Sequence, residues 1–150
     1  MRRTLFGFAT LVMLAGSTVA MAQSLGTATE AKALLDKGVA AIKADKAKAL
    51  ANFSKADGGF KDRDLYVFCF DMASAKFTAH INPALIGTDV KALKEKDGSP
   101  LGEKVFNAAK EGTVTAVTYN FPKPGMTDPS PKESFVTRVG DQGCGVGYYK

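Results

Sequence analysis

The sequence predicts an α+β domain in which one long N-terminal helix packs on a five-stranded antiparallel sheet, and three observations predict it. The first is a helical apolar period over residues 27–57, with Leu35, Val39, Ile42, Leu50 and Phe53 near one face. The second is a change to β-branched and aromatic text with period two from Asp64 onward. The third is that these strands follow one another through turns, as antiparallel hairpins do, while the helical text stays segregated.

Each element has its own signal. Thr27-Ala28-Thr29-Glu30 reads as a capping box that opens the helix, and Gly58-Gly59 closes it. The segment is about seven turns long and is expected to bend near Asp45. "DLYVFCFD" (64–71) is apolar on both faces, a strand inside a sheet. After a turn at 72–75, "KFTAHIN" (76–82) sets Phe77, Ala79 and Ile81 against Lys76, Thr78 and His80, a half-buried strand. Asn82-Pro83 breaks it, and a loop to Ser99 carries a short helical patch at 89–94. Pro100 opens a second helix that Gly112 stops. "TVTAVTYNF" (113–121), "KESFVTRVG" (132–140) and "CGVGYYK" (144–150) complete the sheet, the first two joined by the long turn "PKPGMTDPSP".

The first residues bear on compartment. Met1-Arg2-Arg3 is a positive start, an apolar run extends from Leu5 to Val19, and Ala20-Met21-Ala22 places small residues two apart before Gln23. These are the regions of a secretory signal peptide over 1–22, leaving 23–150 as one periplasmic or secreted domain. A retained anchor is the alternative. No later segment reaches the ~18 apolar residues of a membrane span.

Composition excludes several functions. The formal charge of +5 falls by two without Arg2 and Arg3. Lys32, Lys37, Lys43, Lys46, Lys48 and Lys55 mostly share a helix with acidic neighbours, a solvated face. No arginine-rich cluster with interleaved aromatics suggests nucleic acid. His80 is the only histidine, and Cys69 and Cys144 are the only cysteines. An even count permits one disulfide in an oxidising compartment; two buried thiols are the alternative. No redox pair, haem attachment or metal-ligand spacing is present, so no cofactor or metal is expected. One histidine, no nucleophile elbow and no paired acids argue against an enzyme. Asp62-Arg63-Asp64 and Asp97-Gly98 read as turns.

The ending "GCGVGYYK" imitates a phosphate loop, but no helix follows whose amides would face an anion. Glycines at 143, 145 and 147 instead alternate with Cys144, Val146 and Tyr148. On a strand that leaves one face bare, open to close approach by the long helix or a ligand.

"FKDRDLYVFCFDMASAKFTAHINPALIGTDV" and the later "PKPG…SPKESFVTRVGDQGCGVGYY" resemble an extracellular single Cache domain over about residues 27–150. The most specific parts are Ala79-His80, Asn82-Pro83, Leu85-Ile86-Gly87, Lys132-x-Ser134-aromatic-Val136 and the glycine-aromatic ending. Phe135 replaces the commoner tyrosine, and the tryptophan usual in the third strand is missing, since the chain has none. The resemblance implies a PAS-like sheet behind the long helix and a small-molecule sensor module. With no membrane helix or signalling domain following, it implies a free-standing exported domain. The usual strand order sets the first strand beside the last, which implies a Cys69–Cys144 disulfide.

It also implies that the loop after the second strand caps a ligand pocket. His80 stands at that loop's base, Lys132 supplies a cation and Tyr119 a hydroxyl; Tyr66 and Tyr148 are further candidates. Together they suit a short organic carboxylate or similar metabolite, bound without chemistry. The absent output domain implies a membrane-bound signalling partner. The rival expectation is an accessory protein that presents the fold to such a partner over a vestigial pocket.

Overall fold

Thr27 caps the first helix as its sequence requires. In a computed structural model describing residues 24–150, its side chain accepts from Glu30 N, and the Glu30 carboxylate accepts from Thr27 N at 2.8 Å. The expected signal peptide at 1–22 lies outside the described residues. The single bent helix is two: α1 (Ala28–Ala44) and α2 (Lys46–Lys55). Asp45 between them is extended, and its carboxylate caps α2 by accepting from Lys48 N at 3.0 Å. A short acidic side chain favours this capping role over a helix-interior one.

Six strands follow: β1 (Lys61–Asp62), β2 (Leu65–Asp71), β3 (Phe77–Ala79), β4 (Thr115–Pro122), β5 (Pro129–Val139) and β6 (Gln142–Tyr149). The main sheet runs β3-β2-β6-β5-β4, antiparallel throughout, and β1 is a two-residue addition to the start of β2. β6, the last strand, therefore lies at the centre. Cys69 and Cys144 are directly opposed and form a disulfide with Cα atoms 4.1 Å apart.

Three expectations need correction. The strand expected over 76–82 keeps only its first half, and the register against β2 shifts between Cys69 and Phe70. That irregularity breaks the alternation: Phe77 and Ala79 enter opposite cores, and His80 is buried beside Phe77 rather than standing with Lys76 and Thr78. The long turn shrinks to residues 123–128, because β4 and β5 extend to Pro122 and Pro129. The helical patch at 89–94 is one 3-10 turn, Val90–Ala92, preceded by another, Pro83–Leu85.

Both faces of the sheet are covered. On one, Leu35, Ile42 and Phe53 of α1 and α2 pack against Leu65, Val67, Cys69 and Val146. On the other, Val90 and the short helix α3 (Leu101–Ala108) pack against Tyr66, Phe68, Phe70, Val117 and Val136. The covering segment is fastened by polar contacts as well. Glu95 accepts from the backbone and side-chain amides of Asn120 at 2.9 and 2.8 Å, and Gly102 N donates to Leu93 O.

The bare strip of β6 is filled by neither the long helix nor a ligand. Phe68 and Phe70 reach over from β2 and Lys132 reaches over from β5. A Cβ on Gly145 would stand 2.5 Å from Cζ of Phe68. Gly145→Ala is therefore expected to lower stability by about 1–3 kcal/mol through overpacking. Denaturant titration measures this; an unchanged midpoint would mean the Phe68 ring relocates without strain.

Candidate functional site

The face under α3 carries the polar candidates. Tyr66 comes from β2, Tyr119 and Phe121 from β4, Lys132 and Ser134 from β5, and Tyr149 from β6; His80 follows β3. Strand pairing places Tyr119 opposite Lys132 and Lys132 opposite Tyr149. A small cavity of about 30 Å³ lies above them, with Tyr66, His80 and Tyr119 as polar walls and Phe68, Phe77, Val90, Leu101 and Val105 as apolar ones. An outer cleft of about 380 Å³ adjoins it between residues 80–82 and 121–126, and Tyr66, His80 and Phe121 belong to both. No aspartate or glutamate lines either space.

Lys132 is 1 % exposed and stands behind the cavity wall rather than in it. Its Nζ donates to the Tyr66 hydroxyl at 3.1 Å and lies 4.5, 4.8 and 5.4 Å from the ring centres of Tyr66, Tyr149 and Phe121. Among the described residues no carboxylate oxygen approaches it within 4.0 Å. Burial pulls its ammonium down to about 7, with the Asp64 carboxylate opposing. Because Tyr66 accepts from Lys132, its own proton is free to point elsewhere, and a donor that accepts from a cation is strengthened.

His80 is held by its neighbour two residues on. Asn82 N donates to Nδ1 at 2.9 Å, which leaves the proton of the neutral ring on Nε2. Burial first, and the Lys132 cation second, hold the imidazole down to about 4, so it is neutral near pH 7. Burial pushes the Tyr119 phenol up to about 12, against the hydrogen bond it shares with Ser134 at 2.6 Å. Tyr66 is likewise held well above its ordinary value, by burial and by the nearby Tyr119, Tyr149 and Asp64. The cavity thus presents hydroxyl and imidazole N–H donors with a positive charge behind them.

Of the residues singled out from sequence, Tyr66, His80 and Tyr119 line one cavity and Lys132 supports its wall. Tyr148 stands on the opposite face, stacked on Phe135 with its hydroxyl donating to Glu133 at 2.8 Å. Its neighbour Tyr149 faces Lys132 instead. Tyr149, Ser134 and Phe121 are not among the ligand contacts expected from sequence, although Ser134 belongs to the motif that carries the resemblance. Tyr149 could have been, since it shares the parity of the three glycines. Asp64, read as a turn residue, is 6 % exposed; Oδ1 accepts from Gly26 N at 2.6 Å and Oδ2 has no partner among the described residues. No group of His, Cys, Asp and Glu that could hold a metal occurs among the described residues.

Residues 10–148 match the family described as Single Cache domain 2. Half of the chain, 75 residues, is 28% identical to methyl-accepting chemotaxis protein McpP of Pseudomonas putida, and this covers 14% of that receptor's length. A methyl-accepting chemotaxis protein from Vibrio parahaemolyticus has a similar structure, with a TM-score of 0.66 at 25% identity over 81% of this chain and 86% of that one. A periplasmic sensor domain of a chemotaxis protein gives 0.61 at 25% identity, covering 79% and 86%. A Cache chemosensory domain described for its recognition of carboxylic acids gives 0.60 at 23% identity, covering 79% and 84%, a likeness of fold.

Proposed function

The chain belongs to the single Cache domain 2 family, and on that premise we propose that it is an exported sensor-type domain that binds a short organic carboxylate without catalysis. One observation carries the reading: a buried lysine with no acidic partner within 4.0 Å among the described residues backs a cavity whose polar walls are donors. A buried cation is costly unless an anion completes it. The ligand's carboxylate accepts from the Tyr66 hydroxyl, or from Lys132 once that hydroxyl moves aside, and from His80 Nε2–H. Its carbon tail lies against Phe68, Phe77 and Val105.

The periplasmic sensor neighbour and the disulfide support an extracytoplasmic setting. Among the described residues no helix is long and apolar enough to cross a membrane. The likeness to chemotaxis sensor domains supports a membrane-bound signalling partner that receives the bound state. The rival reading, a surface for that partner over an idle pocket, gains no apolar helix patch. Among the described residues the exposed large apolar side chains, Leu25, Ile86, Val114 and Met126, all lie off α1 and α2.

Thermal-shift titration with short carboxylates tests the proposal, since binding raises the melting temperature by mass action. Affinity is expected to fall above pH 7 by about tenfold per pH unit, because the empty site's lysine loses its proton there and the anion needs the charged form. No shift with any acid, even after refolding to strip a retained ligand, would overturn the proposal. An affinity unchanged between pH 6 and 9 would remove Lys132 from it.

A further inference from the structure

The inner cavity is a whole site only for the shortest acids. At about 30 Å³ it has room for roughly two waters. Tyr66, His80 and Phe121 also wall the outer cleft, so a chain that outgrows the cavity leaves through it. The cleft has a cation of its own. Lys123 lines it, half-buried, and among the described residues no carboxylate oxygen lies within 4.0 Å of its Nζ. Asp128, the acid of the same turn, lines neither space. The backbone holds this lysine stiffly. It lies between Pro122 and Pro124, and a residue before proline is confined to extended conformations. Its carbonyl accepts from Met126 N at 2.9 Å, closing a turn with Pro124 second and Gly125, at φ 78°, third, the residues that a type II turn selects. Pro122 O accepts from the Tyr149 hydroxyl at 2.6 Å, which ties the base of the turn to β6. Nζ of Lys123 is 5.7 Å and Nζ of Lys132 4.8 Å from the centre of that same tyrosine ring. The two charges are therefore no farther apart than those distances added together, about one Debye length in ordinary salt. Asn82 lines the cleft as well; its Oδ1 accepts from Ala84 N at 3.0 Å, which leaves its amide nitrogen to donate.

We propose that the outer cleft is the second half of the site, and that the domain takes a short dicarboxylate with one end on Tyr66 and His80 and the other on Lys123 and Asn82. This rests on the carboxylate-binding reading and names the ligand class of the same site. The near carboxylate accepts from the Tyr66 hydroxyl and from His80 Nε2–H, which border both spaces, with the Lys132 charge behind them. The carbon chain runs outward past Phe121 and Ile81. The far carboxylate accepts from the Lys123 ammonium, a charge-assisted bond, and from the Asn82 amide. Succinate or glutarate spans about 5–7 Å between its outer oxygens, and a hydrogen bond adds about 2.8 Å at each end, a length commensurate with two cations that flank one ring. An acid of equal length with a single carboxylate sets a methyl end against the Lys123 ammonium and strips it of water without replacing the lost bonds, so the cleft also discriminates against it.

Titration calorimetry at pH 7 compares succinate with butyrate and glutarate with valerate, pairs of equal chain length that differ in the second carboxylate. The dicarboxylate is expected to bind at least about tenfold tighter, the size of one charge-assisted hydrogen bond. Lys123→Gln should erase that ratio. The ratio is read within each protein, so a change in the variant's stability does not imitate the result. Butyrate binding the wild-type protein as tightly as succinate, or a ratio that persists in Lys123→Gln, would overturn the inference. Acetate in the same series separates it from the reading it rests on. If acetate binds while the second carboxylate adds nothing, only the outer half of the site falls. If no acid binds, both fall.

Discussion

Lys132→Met is expected to make the fold more stable and the site inactive. Moving an amine from 10.5 to about 7 means that the folded state carries its proton at a cost on the order of 4–5 kcal/mol. An unbranched apolar side chain of similar length removes that cost and retains the packing over Gly147, for a net gain of about 1–4 kcal/mol. The pH dependence has a definite sign. Below pH 7 both folded and unfolded chains hold the proton, and the wild-type penalty is full. Between 7 and 10.5 only the unfolded chain holds it, so wild-type stability climbs with pH. The variant's advantage should be largest at pH 6 and nearly gone by pH 10. Acid binding should weaken by at least about a hundredfold, as when one partner of a buried charge pair is cut away. Denaturation midpoints at pH 6 and pH 9.5, with acid titrations alongside, measure both. A variant less stable than wild type at pH 6 would mean that the Tyr66 hydrogen bond and the three ring contacts outweigh burial of the charge.

Reducing the disulfide is expected to have the other large effect. The bond joins residues 75 apart in sequence, and its cysteines are 0 % and 1 % exposed. Loss of a loop that long releases enough chain entropy to cost about 4 kcal/mol, with a melting temperature lower by more than about 10 °C. The sulfurs lie in the core beneath α1 and α2, on the far side of the sheet from His80 and Tyr119. The paired change Cys69→Ala with Cys144→Ala should therefore melt early yet bind acid with near wild-type affinity below its transition. A melting temperature within a degree of wild type, in both the variant and the reduced protein, would show that sheet packing alone closes the loop.

What could be read in advance was what local chemistry decides. Thr27 and Glu30 announce a cap because the two residues satisfy each other's amides three positions apart. "LYVFCF" announces an interior strand because no polar side chain interrupts it. The pairing of Cys69 with Cys144 came from resemblance to a fold, since nothing near either residue encodes its partner. Side-chain direction was lost wherever one irregularity changes parity. The register shift at Cys69 and Phe70 turned His80 from the polar side of its strand into the core. Tyr148 and Tyr149 are adjacent, and period two sends them to opposite faces, so only the register says which one meets Lys132. Asp64 was hidden by its company. Between Arg63 and a strand it has the text of a turn, yet Arg63 takes the solvent side with Asp62 and Glu30 while Asp64 turns inward.

The position of β6 has a consequence for how the chain is made. The strand synthesised last of the six occupies the middle of the sheet, between β2 and β5. Until it arrives, β2 has no partner along the edge that β6 will fill, and its two apolar faces have no completed layer to bury them. Cys69 waits for its partner over the same interval. The nascent molecule is thus an incomplete sheet with a sticky edge for most of its synthesis, the kind of intermediate that invites pairing with other chains and chaperone attention. Its contacts of long sequence separation also place it among slower folders for its size.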